Sequence, residues 1–315
     1  MKPLIFTLCA VFAFGGVSAQ QTTWQPSPGH TQVAIWPETP PDAQPVPGPE
    51  TVGSDSDFLV AGGHVIGVGN VTRPTMTVYS PKGKNTGVAV VVFPGGGFEG
   101  LAIDLEGTEG CDWLTSKGIT CVLLKYRVPS LPYDWHCDCR PDGLVKSTLA
   151  LEDAQRTMGL VRFHAAEWHI DPHKIGVLGF SAGGYLVAEI STDFERRLYK
   201  PVDPADKESC RPDFAVGVYP GHLWVGRSAY KLNPNVPVTR QTPPTFLLQA
   251  EDDHVDNVND SLAYYIALKK AGVLVEMHLY AQGGHAFGLR RTKFPITGWP
   301  QLVETWLGTL GMISE

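Results

Sequence analysis

Ser181 sits in the pentapeptide Gly179-Phe180-Ser181-Ala182-Gly183. A serine spaced this way between glycines, where a strand turns into a helix, forms a nucleophile elbow. The turn is so tight that a Cβ at the glycine positions meets the neighbouring strand or helix. The hydroxyl is pushed into the open, and the helix N-terminus faces the negative charge that develops there. A serine hydroxyl is a poor nucleophile until a base takes its proton, and the base needs an acid to orient it. Both types follow in the chain. Glu251, Asp252, Asp253 and Asp256 cluster after the apolar run 243–250. His285 lies in Gly283-Gly284-His285-Ala286-Phe287-Gly288, after the run 273–280. The fourth requirement is a set of donors for an oxyanion. Pro94-Gly95-Gly96-Gly97-Phe98 follows the apolar run 88–93, and glycines let backbone N–H groups approach a carbonyl oxygen. The N–H groups of Gly96 and Gly97 are assigned as donors, with that of Ala182 as a third. Each motif alone is also an ordinary packing or turn feature. The order serine, acid, histidine, each at a strand end, argues for acyl transfer through a covalent serine intermediate. That chemistry needs no metal and no organic cofactor.

The elements that must position these groups alternate between strand and helix. Strands are predicted over 73–80, 88–93, 119–126, 174–178, 243–250 and 273–280. Helices are predicted after Ser181 and over 144–168, 260–271 and 299–310. Leu149, Ala150, Ala154, Met158, Val161 and Ala165 trace an apolar stripe on the long helix. The alternation predicts an α/β fold with a mostly parallel central sheet and helices on both faces. Active sites of such sheets form at the carboxyl ends of the strands, where all four parts fall. A length of 315 residues with 43% hydrophobic content suffices for one large core. The net charge of -7, with no basic run, excludes nucleic acid as an expected partner.

From about Val60 to the C-terminus the chain resembles the esterase/lipase branch of the α/β-hydrolase superfamily, in particular secreted bacterial acetylxylan-esterase-like enzymes. The resemblance is carried by Phe93-Pro94-Gly95-Gly96-Gly97, Leu124-Lys125-Tyr126-Arg127-Val128-Pro129 and Asp171-Pro172-His173-Lys174-Ile175-Gly176-Val177. It is carried further by Val218-Tyr219-Pro220-Gly221 and Gly283-Gly284-His285. It implies the α/β-hydrolase fold with Ser181 as nucleophile and His285 as base. The acid in such families follows a D-x-x-V-P-like pattern, which puts Asp253 in that role. Here Asp256-Asn257 stand where Val-Pro is usual, so Asp256 is the next candidate and Asp252 the one after. The implied activity is a serine carboxylesterase acting on short acyl esters, acetyl first, of plant polysaccharide such as xylan. Feruloyl or aryl esterase and peptidase activity on the same fold stay open, as does a non-catalytic binding module. An acylated carbohydrate or small ester is the expected partner. An ordinary imidazole at position 285 predicts loss of activity below about pH 6.

Three further expectations concern organisation. Lys2, the apolar stretch 4–17 and Val17-Ser18-Ala19 read as a signal peptide over 1–19, too short for a membrane span. The mature protein is expected to be secreted or periplasmic, without membrane contact after cleavage. Residues 20–57 form a Pro-rich extension, either disordered or laid across the catalytic domain at 58–315, with Trp24, Ile35 and Trp36 as docking points. Removing Cys9 leaves Cys111, Cys121, Cys137, Cys139 and Cys210, an odd number. Cys137 or Cys139 with Cys210 would staple the loop 129–142. His136, Cys137 and Cys139 lack the two separated pairs of a structural zinc site, so no metal is assigned. Phe98, Tyr133, Trp135, Tyr219, His222, Trp224 and Phe287 fall on loops at the carboxyl side of the sheet and are the candidate substrate-binding residues. Tyr133-Asp134-Trp135 is the candidate flap. Glu99 and Asp104 could hydrogen-bond sugar hydroxyls.

Overall fold

Runs of Val, Ile, Leu and Phe become strands buried on both faces, as parallel strands between two helix layers must be. The computed structural model describes residues 23–131, 141–225 and 229–313. In chain order the strands are β1 (Gln32–Ala34), β2 (Thr51–Val60), β3 (Gly63–Gly69), β4 (Thr75–Tyr79), β5 (Ala89–Phe93) and β6 (Gly100–Ala102). They continue with β7 (Thr120–Lys125), β8 (Ile175–Phe180), β9 (Ala215–Val218), β10 (Thr245–Ala250) and β11 (Val275–Tyr280). The helices are α1 (Glu109–Ser116), α2 (Pro141–Phe163), α3 (Ala182–Thr192), α4 (Val258–Ala271) and α5 (Trp299–Thr309).

Eight strands form one sheet in the order β1-β4-β7-β5-β8-β9-β10-β11. The strands from β7 to β11 in that order are parallel, and β4 and β1 extend one edge antiparallel. Register decides where the site sits. Phe93 lies opposite Gly179, Phe180 opposite Val218, Val218 opposite Leu248, and Ala250 opposite Tyr280. The carboxyl ends of β5, β8, β9, β10 and β11 therefore align, and the loops that leave them meet above one edge of the sheet. β2, β3 and β6 form a second, antiparallel sheet. Strand β6 begins just after the Gly95–Gly97 loop. The loop is tied down by Glu99 and Gly100 N–H donating to Gly96 O, and by Ala102 N–H donating to Gly95 O.

The predicted helix over 144–168 ends earlier, at Phe163, and continues as turns. Its apolar stripe is buried as expected. Its polar side is buried too, which the stripe did not announce. The N-terminal segment covers it: Ile35 and Trp36 are buried, Trp36 Nε1 donates to Asp153 Oδ1 at 2.8 Å, and Arg156 Nε donates to Ile35 O. β1 pairs with β4 at the sheet edge, and β2 runs across the expected boundary at residue 57. Helix α4 starts two residues before the predicted 260, because Asn257 caps it by accepting from Asn259 N–H. Cys111 and Cys121 form a disulfide between α1 and β7. Cys210 is a buried free thiol that donates to Phe194 O. This corrects the expected staple to Cys137 or Cys139, which lie outside the described residues, as do the leader at 1–19 and the flap residues.

Candidate active site

Ser181 joins β8 to α3 with φ +52° and ψ −121°, a conformation rare for a residue with a side chain. The strain is held by packing. A Cβ on Gly179 would stand 2.1 Å from Gly183 O, and a Cβ on Gly183 would stand 2.1 Å from Phe93 O. Strand and helix therefore approach more closely than any other residue permits. Ser181 N–H donates to Val218 O at 3.1 Å, which sets the elbow against β9.

The acid and the histidine arrive from β10 and β11. Asp252 Oδ1 accepts the N–H groups of Gly283 and Gly284, and so fixes the loop that carries His285. Asp253 Oδ2 lies 2.7 Å from His285 Nδ1 and accepts Gln249 Nε2 at 3.0 Å. Asp253 Oδ1 accepts the N–H groups of Val255 and Asp256. His285 Nε2 lies 3.0 Å from Ser181 Oγ. With Nδ1–H donated to the carboxylate, Nε2 is left to accept the serine proton. The structure thus brings Ser181, His285 and Asp253 into one hydrogen-bonded line. Asp252 serves the loop instead. Asp256 takes a place on the other side of the serine, with Oδ2 3.2 Å from Ser181 Oγ and 3.7 Å from His285 Nε2.

Behind this line lie Glu106, which the sequence did not single out, and Tyr219, which it offered as a substrate-binding candidate. Glu106, in a short π-helical segment (Asp104–Thr108), is buried. Its Oε2 accepts Gly95 N–H at 2.7 Å, and its Oε1 accepts the Tyr219 hydroxyl at 2.8 Å. Tyr219 Oη in turn accepts Gly288 N–H, and its ring lies 4.8 Å from the His285 ring. One carboxyl thereby ties the Gly95–Gly97 loop to the His285 loop. Burial pushes the Glu106 carboxyl up, against the hydrogen bonds from Tyr219 and Gly95 and the nearby imidazole.

Burial alone would depress His285. The hydrogen bond to Asp253 and the charges of Asp256, Asp253 and Glu106 outweigh it and push the imidazole up to about 9. An imidazole raised in this way predicts a limb on the alkaline side of the value, about pH 6, expected for an ordinary one. The physical reason is that carboxyls from two segments, Asp253 and Asp256 after β10 and Glu106 in the π-helical turn, act on one ring.

The N–H groups of Gly96, Gly97 and Ala182 have no acceptor among the described residues. The Gly95 N–H is taken by Glu106, and the Pro94 carbonyl accepts the Tyr126 hydroxyl at 2.5 Å. The loop is thus held by its first residues, while the amides of Gly96 and Gly97 have no acceptor among the described residues.

The aromatic candidates divide. Phe98, Tyr219 and Phe287 are buried. Phe98 packs toward Tyr126 and Tyr185, and Phe287 packs edge-on to Tyr219. In the structure their rings are occupied by packing against these neighbours. His222 and Trp224 are half-buried. His222 stands edge-on to Tyr185, and Trp224 Nε1 donates to Ala229 O. Tyr133 and Trp135 lie outside the described residues. Glu99 is paired with Lys146. Asp104 accepts from Ile66 and Leu105 N–H and pairs with Arg290, so it holds the second sheet to the body.

A mostly parallel sheet with a serine elbow at the end of β8 and a histidine loop after β11 defines the α/β-hydrolase class. Comparison with known proteins narrows this. The family model described as BD-FAE matches residues 76–219, and that of the prolyl oligopeptidase family matches residues 211–306. The chain is 30% identical over 238 residues to an acetylxylan esterase of Xylanibacter ruminicola, across 69% of this chain and 44% of that protein. It is 26% identical over 230 residues to an endo-1,4-beta-xylanase B of Butyrivibrio fibrisolvens, across 67% of this chain and 34% of that protein. The chain thus spans less than half the length of these curated relatives. The solved structure of an acetyl ester-xyloside bifunctional hydrolase from Caldicellulosiruptor lactoaceticus is 31% identical, covering 90% of this chain and 97% of that one with a TM-score of 0.69. The chain belongs to the esterase branch of the α/β-hydrolase superfamily.

Proposed function

We propose that this chain is a serine carboxylesterase that removes short acyl groups, acetyl first, from plant polysaccharide such as xylan. The observation that carries the reading is the line Asp253, His285, Ser181, ending on a nucleophile elbow. His285 takes the Ser181 proton as Oγ attacks the ester carbonyl. Asp253 holds the imidazole tautomer and stabilises the imidazolium. The Gly96, Gly97 and Ala182 amides receive the oxyanion, where one such donor is worth roughly 3–4 kcal/mol. His285 then protonates the departing alcohol. Water deacylates Ser181 by the same route.

The names of two similar proteins, an acetylxylan esterase and an acetyl ester-xyloside hydrolase, support acetyl as the acyl group and xylan as the polymer. Export through the leader at 1–19 fits a polymer substrate, and the Cys111–Cys121 disulfide fits an oxidising compartment. The test is acetate release from acetylated xylan, with Ser181→Ala as the blank. Serine-dependent release is the expected result. Activity on small aryl acetates without release from xylan would move the substrate elsewhere. Inactivity on both would favour a non-catalytic binding module.

A further inference from the structure

Asp256 has no task in the reaction just described, yet it touches the nucleophile. Its side chain is nine-tenths buried. Its one hydrogen bond comes from Ser181 Oγ, at 3.2 Å. A carboxylate can accept about four hydrogen bonds, and among the described residues no other group donates to this one. The chain has made room for it. A Cβ on Gly221 would stand 2.3 Å from Asp256 Oδ1, so the turn after β9 admits the carboxylate only because residue 221 is glycine. The position of Asp256 is fixed as well. Its N–H donates to Asp253 Oδ1, and its carbonyl accepts Gln249 Nε2.

Ser181 has one hydroxyl hydrogen and two acceptors, His285 Nε2 and Asp256 Oδ2. In the arrangement that reacts, the hydrogen points to His285. Asp256 is then a buried carboxylate with no donor. As the serine oxygen becomes an ester oxygen it has no hydrogen to give; once the alcohol has left, the deacylating water is the donor at hand. A buried carboxylate without a partner is costly, so the reacting complex must bring a donor. An acetyl group has none, and the oxyanion has none. The alcohol half of the ester can supply one if it carries a second hydroxyl. The departing oxygen must lie near His285 Nε2, which is 3.7 Å from Asp256 Oδ2. A hydroxyl on the neighbouring carbon of the alcohol can reach the carboxylate from there.

We propose that Asp256 is a subsite for the alcohol half of the ester, accepting a hydrogen bond from a hydroxyl next to the esterified oxygen and so selecting esters of vicinal diols. This rests on the esterase reading and adds to it the residue that recognises the sugar. The site distinguishes a vicinal diol from a simple alcohol at the step where that alcohol leaves. Its acyl specificity lies elsewhere.

The test uses two acetates that differ by one hydroxyl, trans-1,2-cyclohexanediol monoacetate and cyclohexyl acetate. Both give the same acetyl-enzyme, so a difference between them reads the alcohol side alone. The ratio of their kcat/KM values is independent of the fraction of active protein. In the wild type the ratio is expected to favour the diol ester. In Asp256→Ala it should fall about tenfold or more, since a site that hydrogen-bonds a substrate hydroxyl discriminates strongly against its absence. Asp256→Asn keeps one acceptor oxygen and should fall between them. A change by the same factor on both acetates, in both variants, would overturn the subsite and leave the esterase reading standing. Failure of the wild type to hydrolyse either acetate would overturn both.

Discussion

The two halves of the site are held by different forces. The nucleophile half is fixed by backbone against backbone: β8 and α3 approach until only glycine fits at positions 179 and 183. The acid half is fixed by side chains. At the end of β10, Gln249 donates to Asp253 and to the Asp256 carbonyl, Asp256 N–H donates to Asp253, Asp252 accepts from the histidine loop, and each carboxylate has a different set of donors. Asp253 is satisfied by three donors and the imidazole. Asp252 orders the histidine loop. Asp256 is left with the serine. A sterically fixed half tolerates no added volume, whereas a polar half tolerates substitution in volume and fails by degrees in function.

This contrast can be broken first at Gly183. Adding one methyl there, in Gly183→Ala, puts Cβ on the Phe93 carbonyl. It should destabilise the fold by at least ~3 kcal/mol, read as a lower denaturation midpoint or loss of soluble protein. Unchanged stability would show that the elbow relaxes freely. In the polar half, Asp253→Asn should leave the melting temperature near that of wild type while kcat drops about 10^4-fold, because the imidazole loses its tautomer. Asp256→Asn should cost far less, and equal losses for the two would undo the assignment of Asp253 as the acid.

A third test sharpens the difference between the carboxylates through pH. On the proposed mechanism the base must be neutral to act, and the hydrogen bond to Asp253 with the nearby carboxyl charges pushes His285 up to about 9 against its burial. The profile of kcat/KM, which reports the free enzyme, should therefore rise with pH and level off above about 9. Removing the Asp256 charge withdraws one source of the upward shift. The limb in Asp256→Asn should move to lower pH, toward the ordinary imidazole value of about 6.5. A limb that stays in place would mean that Asp256 does not act on the base. The smallest effect is expected at Glu106→Gln, which swaps an acceptor facing Gly95 N–H or the Tyr219 hydroxyl for a donor. Loosening both loops should lower kcat/KM by about tenfold, with the pH limb moved slightly down.

The same contrast explains what could be read from the chain. Ser181 was legible because backbone packing leaves only glycine at fixed distances on either side. His285 was legible because a histidine in a glycine-rich loop after a strand has few structural uses. The acid needed an outside resemblance, since Asp252, Asp253 and Asp256 are chemically alike and differ only in which donors reach them. Glu106 gave no signal. It lies far from Ser181 in sequence, and a single glutamate between Leu105 and Gly107 looks like any surface residue. The shift of His285 has the same origin: the charges that raise it come from the loop after β10 and from Glu106, and composition does not say that they converge. Phe98, Tyr219 and Phe287 are buried, and an aromatic ring on a loop serves a core as readily as a ligand. Only packing decides. The long helix shows the reverse case, with a correct apolar stripe and an unseen polar face that the segment around Trp36 covers.

The most direct measurement is a rapid acid quench of the protein during turnover of an aryl acetate, followed by peptide mass mapping, with Ser181→Ala run beside it. The account predicts one acetyl group on the peptide that holds Ser181 and no turnover in the variant. Acetate release that continues in Ser181→Ala, or an acetyl group on another residue, would contradict it.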